Sequence, residues 1–320
     1  MKLFFCRIPD GNFGDDLNPY LWPQLLPGAF DGTAEYRPKD NHATLADPHD
    51  ELFVGIGTLI RRELPQTAVK HVFGSGFGYG EPPVDPNWHY HCVRGPLTAA
   101  RLGLAPSLAI TDPAVLIRLL PLPAPIKRHP VSFIPHWEMA ASGDWQAVCR
   151  LAGIHYIDPR GTPEAVIADI AATDALITEA LHGAIVADAL RVPWTAVSSK
   201  HTILDFKWKD WCGSVGLTYA PVAVPTFWKP RPRVGGLING AKRVQAAATL
   251  AYLMRAGRAQ LSADGVLENR IERLVDVLER FCKPRGLVLR RQGQPQTVRG
   301  GEGLQRLGET GGLALGDGLV

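Results

Sequence analysis

Glu179, His182 and Gly183 fall together in the run Thr178-Glu-Ala-Leu-His-Gly183. An acid, an imidazole that titrates near neutrality and a glycine that admits close backbone approach suit proton transfer beside an anion. The apolar run Ala175 to Ile177 before them reads as a strand buried on both faces. Ala184 to Leu190 after them reads as a helix, so the three residues occupy a strand-to-helix turn. Ligands of open α/β sheets bind beyond the carboxyl ends of the strands, and a helix start offers free N–H groups to an anion. A plainer role for His182 is to cap that helix or bond a neighbouring loop; it is the company of Glu179 and Gly183 that points to chemistry.

Other side chains repeat the theme in the first half. Arg94 stands at the tip of a strand ending at Val93, before Gly95 and Pro96. A guanidinium there suits bidentate pairing with a carboxylate or phosphate, against the plainer alternative of a salt bridge to a helix end. Asn12, Asp15 and Asp16 lie in a Gly/Asn/Asp-rich turn, where acids are favoured at a helix start in any case. Gly55, Gly57, Gly74 and Gly76 close two further strands and permit close backbone approach.

The elements that must position these groups follow from the apolar pattern. Strands are expected over Lys2 to Ile8, Glu51 to Ile56, His71 to Gly74 and Ala109 to Thr111. Pro19 to Leu26 reads as a helix with Asn18 as its N-cap and Pro19 in its first position. Prolines 121, 123, 125 and 130 mark a linker. Beyond it come a strand over Val131 to Ile134 ending near Trp137 and Glu138, a helix over Trp145 to Ala152, and a strand over His155 to Ile157. A helix capped by Thr162 follows, then the central turn and a strand over Trp194 to Val197. Phe206 to Trp211 reads as a small amphipathic helix, with a wall facing an acceptor as the alternative. Helices over Ala241 to Leu253 and Val266 to Phe281 complete the pattern. The expected fold is α/β: two Rossmann-like domains, residues 1–122 and 126–284, facing a cleft, with a disordered glycine-rich tail over 285–320.

The chain has 320 residues, 46% hydrophobic and 20% charged, with a net charge of +3. That balance fits a globular protein and is too weak to argue for nucleic acid. No apolar run is long enough to span a bilayer. The five cysteines are scattered without metal-binding spacing, which implies reduced thiols in the cytoplasm and no metal site.

The ordered set Asn12-Phe-Gly-Asp-Asp-Leu-Asn-Pro19, Val54-Gly-Ile-Gly57, Phe73-Gly-Ser-Gly76, Val93-Arg-Gly-Pro-Leu97, Thr111-Asp-Pro113 and Ile177-Thr-Glu-Ala-Leu-His-Gly-Ala184 resembles the polysaccharide pyruvyl transferase family. The likeness is to its succinoglycan-type ketal pyruvyl transferase branch. It runs from about Leu3 to Val197 and fades after that. It implies an architecture similar to glycosyltransferase B, phosphoenolpyruvate as donor rather than a bound cofactor, and a pair of hydroxyls on a saccharide or lipid-linked oligosaccharide as acceptor. The cytoplasm is the implied location, with peripheral contact at the inner membrane face left open.

Family members hold the donor with arginines and with a histidine in an Arg-Leu-His or Arg-Phe-His turn. The histidine carries over to His182, but Ala180 stands where that arginine would be. Arg94 matches the family's other arginine. Arg160 and Lys200, on nearby strand-end loops, are candidates for the missing charge. The catalytic set implied is His182, Glu179 and Asp15, with Arg94, Asn12, Gly57, Gly76, Gly183, Arg160 and Lys200 binding substrate. His182 would contact phosphate and serve the leaving group; Glu179 or Asp15 would act as acid or base. Two other functions share this sequence pattern: a nucleotide-sugar glycosyltransferase, and a non-catalytic assembly partner that lost its site.

Overall fold

The computed structural model describes residues 1–38, 43–122, 124–199, 204–225 and 235–291. The first sheet is built from β1 (Lys2–Cys6), β2 (Gly32–Arg37), β3 (Ala43–Leu45), β4 (Glu51–Val54), β5 (Val69–Phe73) and β6 (Trp88–Cys92). Its spatial order is β3-β2-β1-β4-β5-β6. β3 runs antiparallel to β2 and the other pairings are parallel. The second sheet contains β7 (His129–Ile134), β8 (His155–Tyr156), β9 (Thr173–Thr178), β10 (Trp194–Ser198) and β11 (Val222–Ala223), ordered β11-β10-β9-β7-β8 and wholly parallel. This is a Rossmann-like α/β fold. In each sheet the strand order reverses once, between β1 and β4 in the first and between β7 and β9 in the second. Such reversals separate the loops on either side and open a crevice for ligand.

The helices are α1 (Phe13–Leu25), α2 (Pro96–Arg101), α3 (Trp137–Ser142), α4 (Trp145–Ala152), α5 (Pro163–Ala171), α6 (Leu181–Ala189), α7 (Asp205–Ser214), α8 (Gly235–Arg255) and α9 (Asp264–Cys282), with a 3-10 segment over Pro113–Leu119. Thr162 caps α5 by accepting from Ala165 N–H, as its position predicts. One apolar core joins α1, α5, α6, α9 and the 3-10 segment, so the two halves share a helical layer. α9 returns to the first half, where Phe281 packs edge-on against Phe73 and Phe53.

Several elements differ from the pattern-based expectation. β2 and β3 were not expected; β2 alternates only weakly, with Ala34 and Tyr36 as its buried residues, and β3 is three residues long. Ala109 to Thr111 makes a single bridge, Val93 to Ala109, rather than a strand. Residues 285–291 of the expected tail pack back, with Leu289 buried and Arg290 N–H donating to Leu25 C=O; residues 292–320 lie outside the described residues. α6 begins at Leu181, so His182 and Gly183 occupy its first turn. The largest difference is α1, which starts after Asn12 and contains both Pro19 and Pro23.

A proline inside a helix leaves the carbonyl four residues back without its N–H partner. Here Asn18 supplies the substitute: its Nδ2 donates to Asp15 C=O at 3.1 Å, the acceptor Pro19 cannot serve. The same side chain donates to Ile56 C=O at 2.9 Å, accepts from Ile56 N–H at 2.9 Å and accepts from Trp22 Nε1 at 3.2 Å. Asn18 thus fastens α1 to the loop after β4 from a fully buried position. Gly55 is required beside it, because an added Cβ would lie 2.4 Å from Trp22 Nε1. Asn18→Ala strands both polar groups of Ile56, and the expected cost is about 2–4 kcal/mol in urea unfolding; a loss under about 1 kcal/mol would show that these bonds do not hold the loop.

Candidate active site

The loops at both strand-order reversals line a single cavity of about 600 Å³. From the first sheet come Asn12 and Asp15 after β1, and Gly57, Thr58 and Arg61 after β4. From the second come His136, Trp137 and Glu138 after β7, and Ala180, Leu181 and His182 after β9. Arg94, after β6, Lys207, on α7, and Glu63, in the loop after β4, add to the charged lining.

Arg94 is fully buried, and its orientation is set from the other half of the chain. Its Nε donates to Asp210 Oδ2 of α7 at 3.1 Å, and its Nη1 donates to Thr58 Oγ1 at 3.0 Å. Asp210 also accepts from the N–H and the hydroxyl of Thr98, at 2.9 and 2.6 Å. Nη2 has no hydrogen-bond partner among the described residues. A guanidinium anchored along one edge with a buried donor left over is arranged to receive an anion.

Lys207 sits one turn before Asp210 on α7. Trp208 and Trp211, fully buried in the shared core, hold that helix in place. Among the described residues Lys207 pairs with no carboxylate, in contrast to Lys209, which pairs with Asp205 at the surface. Burial lowers the Lys207 pKa, and the nearby Arg94 charge lowers it further. Arg61 adds a third fixed cation; its guanidinium lies 3.6 Å over the Tyr36 ring, and its buried Nε has no partner among the described residues.

His182 stands in the first turn of α6, against the start of α1. A Cβ on Gly14 would fall 2.2 Å from His182 Nδ1, so glycine is what lets the two helix starts meet. On the ring's other side Nε2 lies 3.6 Å from Asp112 Oδ2. Neither atom has a hydrogen-bond partner among the described residues. Asp112 is fully buried, and its other oxygen caps the 3-10 segment through Ala114 N–H. The carboxylate is therefore held facing the Nε2 edge of the ring. Asp15 accepts from Asn12 Nδ2 at 2.7 Å. Burial raises the Asp15 pKa, partly opposed by the neighbouring His182.

The expected site residues fall into three groups. His182, Asp15, Arg94, Asn12 and Gly57 line the cavity. Glu179 and Gly183 lie beneath it: Glu179 is buried and accepts from Ser199 N–H and Oγ, at 2.5 and 2.6 Å, and from His136 N–H at 3.2 Å, so it ties the loops after β7, β9 and β10. A Cβ on Gly183 would meet Thr178 Oγ1 at 2.7 Å, and one on Gly76 would meet the Arg94 guanidinium at 2.2 Å, so both are packing requirements. Arg160 stands elsewhere, in a separate surface groove, with its guanidinium paired with Asp158. Lys200 lies outside the described residues. The cations missed in the sequence are Lys207 and Arg61. Lys207 carried a weak signal, a lysine between aromatic residues on a short helix; Arg61 carried none.

A two-sheet α/β protein with anion-seeking groups at both strand-order reversals is the class this geometry defines, and residues 12–201 match the polysaccharide pyruvyl transferase family, to which the chain belongs. The succinoglycan biosynthesis protein ExoV of Rhizobium meliloti (strain 1021) is 41% identical over 324 residues, covering 87% of this chain and 98% of that protein. The family match contains Arg94, Asp112 and His182 and ends before Lys207.

Two stability measurements check the electrostatics. Asp210→Ala leaves Arg94 buried and unpaired, and urea unfolding is expected to show a loss of about 3–5 kcal/mol, whereas Lys209→Ala on the exposed side of α7 changes stability by under about 0.5 kcal/mol. Asp15 has a folded-state pKa above its ordinary 3.8, so its ionisation opposes folding above that folded value and has no effect below 3.8. Asp15→Asn is therefore expected to raise the melting temperature at pH 7, with the gain shrinking as the pH is lowered toward 3.8; a gain independent of pH would place the effect outside this carboxyl.

Proposed function

We propose that the protein transfers the pyruvyl group of phosphoenolpyruvate to two hydroxyls of a saccharide, forming a ketal during exopolysaccharide biosynthesis. The observation that carries this reading is positive charge without its own partner: buried Arg94 with Nη2 unpartnered, and Lys207 in no ion pair, among the described residues, in the cavity that His182 lines. A small molecule carrying both a carboxylate and a phosphate supplies what these groups lack. The relative's name, a succinoglycan biosynthesis protein, supports a saccharide acceptor. Lys207 takes the place of the arginine that Ala180 does not provide. We read the two sheets as Rossmann-like domains, residues 1–122 and 126–284, facing each other across this cavity as in glycosyltransferase B. A phosphoenolpyruvate donor would put the reaction in the cytoplasm, the location this reading implies.

The proton count closes on two groups. The enol methylene gains one proton to become a methyl group, and phosphate leaves with another. The two acceptor hydroxyls release two. Asp15, held toward its protonated form by burial, is placed to deliver the proton to carbon and to recover one from a hydroxyl. His182, backed by Asp112, serves the departing phosphate, and Arg94 and Lys207 neutralise it as the C–O bond breaks. Glu179 acts by fixing the loops rather than by touching substrate.

The test incubates the purified protein with labelled phosphoenolpyruvate and membrane oligosaccharide lipids, following phosphate release and acid-labile pyruvate on sugar. Release that depends on the saccharide is expected. His182→Ala is expected to lower turnover by roughly 10²–10⁴-fold. Lys207→Met is expected to raise KM for phosphoenolpyruvate by roughly tenfold or more, in line with a lost charge-assisted contact, and Lys207→Arg to recover part of it. Thermal stabilisation by nucleotide sugars but not phosphoenolpyruvate would favour a glycosyltransferase instead. Turnover of His182→Ala within a few-fold of wild type would remove the histidine from the chemistry.

A further inference from the structure

α8 is apolar on two opposite faces, and only one of them is covered. Ala246, Ala247, Leu250 and Leu253 pack into the core of the second sheet against α4. On the other side Leu237, Ala241, Val244, Ala248, Tyr252 and Arg255 follow one another at spacings of three and four, which places them on one stripe. All six are exposed, Leu237 at 82%, Val244 at 63% and Tyr252 at 58%. At 1.5 Å per residue this stripe is about 27 Å long. A contiguous apolar stripe of this length is seldom left bare, so the outer face calls for an occupant.

The charge around it says which kind. From Trp211 to Ala263 the chain contains no Asp or Glu, yet it contains seven basic residues: Lys229, Arg231, Arg233, Lys242, Arg243, Arg255 and Arg258. The whole protein carries a net charge of only +3, so this segment concentrates positive charge that the rest of the chain balances. Of the four within the described residues, Arg243 pairs with Asp144 of α4, while Arg255 and Arg258 are exposed and Lys242 partly so. Lys242 and Arg243 lie toward the covered side of α8, whereas Arg255 stands on the exposed stripe and Arg258 just past its end. An exposed apolar stripe that ends in bare cations, on a stretch of chain without acids, matches the surface of an anionic bilayer, with the apolar groups entering at the headgroup level and the cations meeting lipid phosphate.

We propose that the outer face of α8 docks the protein on an anionic lipid surface, the helix lying in the plane of the membrane. No helix among the described residues is long and apolar enough to cross a bilayer, so the contact is peripheral. This inference stands on the helix surface alone and does not depend on which reaction the cavity performs. Each basic residue near such a surface contributes roughly fivefold to partitioning.

The test is flotation of the full-length protein with vesicles of equal parts phosphatidylglycerol and phosphatidylcholine, beside vesicles of phosphatidylcholine alone. Binding to the anionic vesicles, weakened by salt, is expected. The combined variant Arg255→Gln, Arg258→Gln is expected to reduce the bound fraction at least tenfold with an unchanged melting temperature. Leu237→Glu with Val244→Glu is expected to do the same through the apolar term. No binding to anionic vesicles, equal binding to both kinds, or variants that bind as wild type would overturn the proposal. So would a concentration-dependent dimer that Leu237→Glu dissociates, since the face would then belong to a second copy of the chain.

Discussion

The buried ion pair between Arg94 and Asp210 is the constraint on which the rest of the site depends. Taking a guanidinium and a carboxylate out of water costs several kcal/mol per ion, roughly, and mutual attraction offsets this only when their remaining hydrogen bonds are also made. The first half of the chain supplies these partners, and only Arg94 Nη2 is left over among the described residues. Thr98 gives Asp210 an N–H and a hydroxyl, and Thr58 accepts from Arg94. The backbone closes in on the pair from both ends: a Cβ on Gly76 would strike the guanidinium, and one on Gly95 would lie 2.1 Å from Asp210 C=O. Two glycines in separate loops are thus fixed by one ion pair. The pair in turn fixes α7 relative to the first sheet, and α7 carries Lys207. The spacing between the two cations is set by a contact that neither makes with the ligand.

Topology explains why the remaining groups converge. A parallel sheet whose order reverses must send its two central loops in opposite directions, leaving a gap at that edge. This chain has two such gaps, and the cavity joins them. Asp15 reaches it from α1 and His182 from α6, and the glycine at position 14 lets these helix starts touch. α1 keeps that position only because Asn18 repairs the hydrogen bond that Pro19 removes. Asn18 is far from the chemistry in role, yet it sets the place of Asp15 three residues earlier.

The sequence revealed the strand-end residues and concealed the helix-borne ones. Asn12, Gly57 and His182 each follow a buried apolar run, and such a run ends at the ligand edge of a parallel sheet; Arg94 follows a mixed strand, Trp88–Cys92, and was legible from the Gly-Pro after it and from the ordered set that carries the family likeness. Lys207 lies on a helix face, and which face of a short helix meets a cavity is decided by Trp208 and Trp211 packing into the core, a tertiary fact with no local signature. Arg61 follows a strand by several residues and reaches the cavity through its stack on Tyr36, a strand-borne ring that the pattern did not identify. Arg160 shows the opposite failure: its place at a strand end was read correctly, but Asp158, two residues away, claims its guanidinium. The start of α1 was misplaced because Asn-Pro is a strong helix-opening signal, and only the buried partners of Asn18 show that here it lies inside a helix already begun at Phe13.

Asp15 and Lys207 are held away from their ordinary ionisation in opposite directions, the acid upward and the lysine downward, both chiefly by burial. Burial disfavours each charge, so both reduce the stability of the fold at neutral pH. They do not cancel by pairing, because no ion pair forms between them among the described residues. A ligand carrying negative charge reverses the lysine's situation: its field restores the Lys207 charge. The same field raises the Asp15 pKa further and keeps its proton in place. One ligand therefore relieves the penalty on the cation and arms the acid, and both effects act in the direction of proton uptake. Negative charge brought between the two groups thus offsets the penalty that burial places on the lysine.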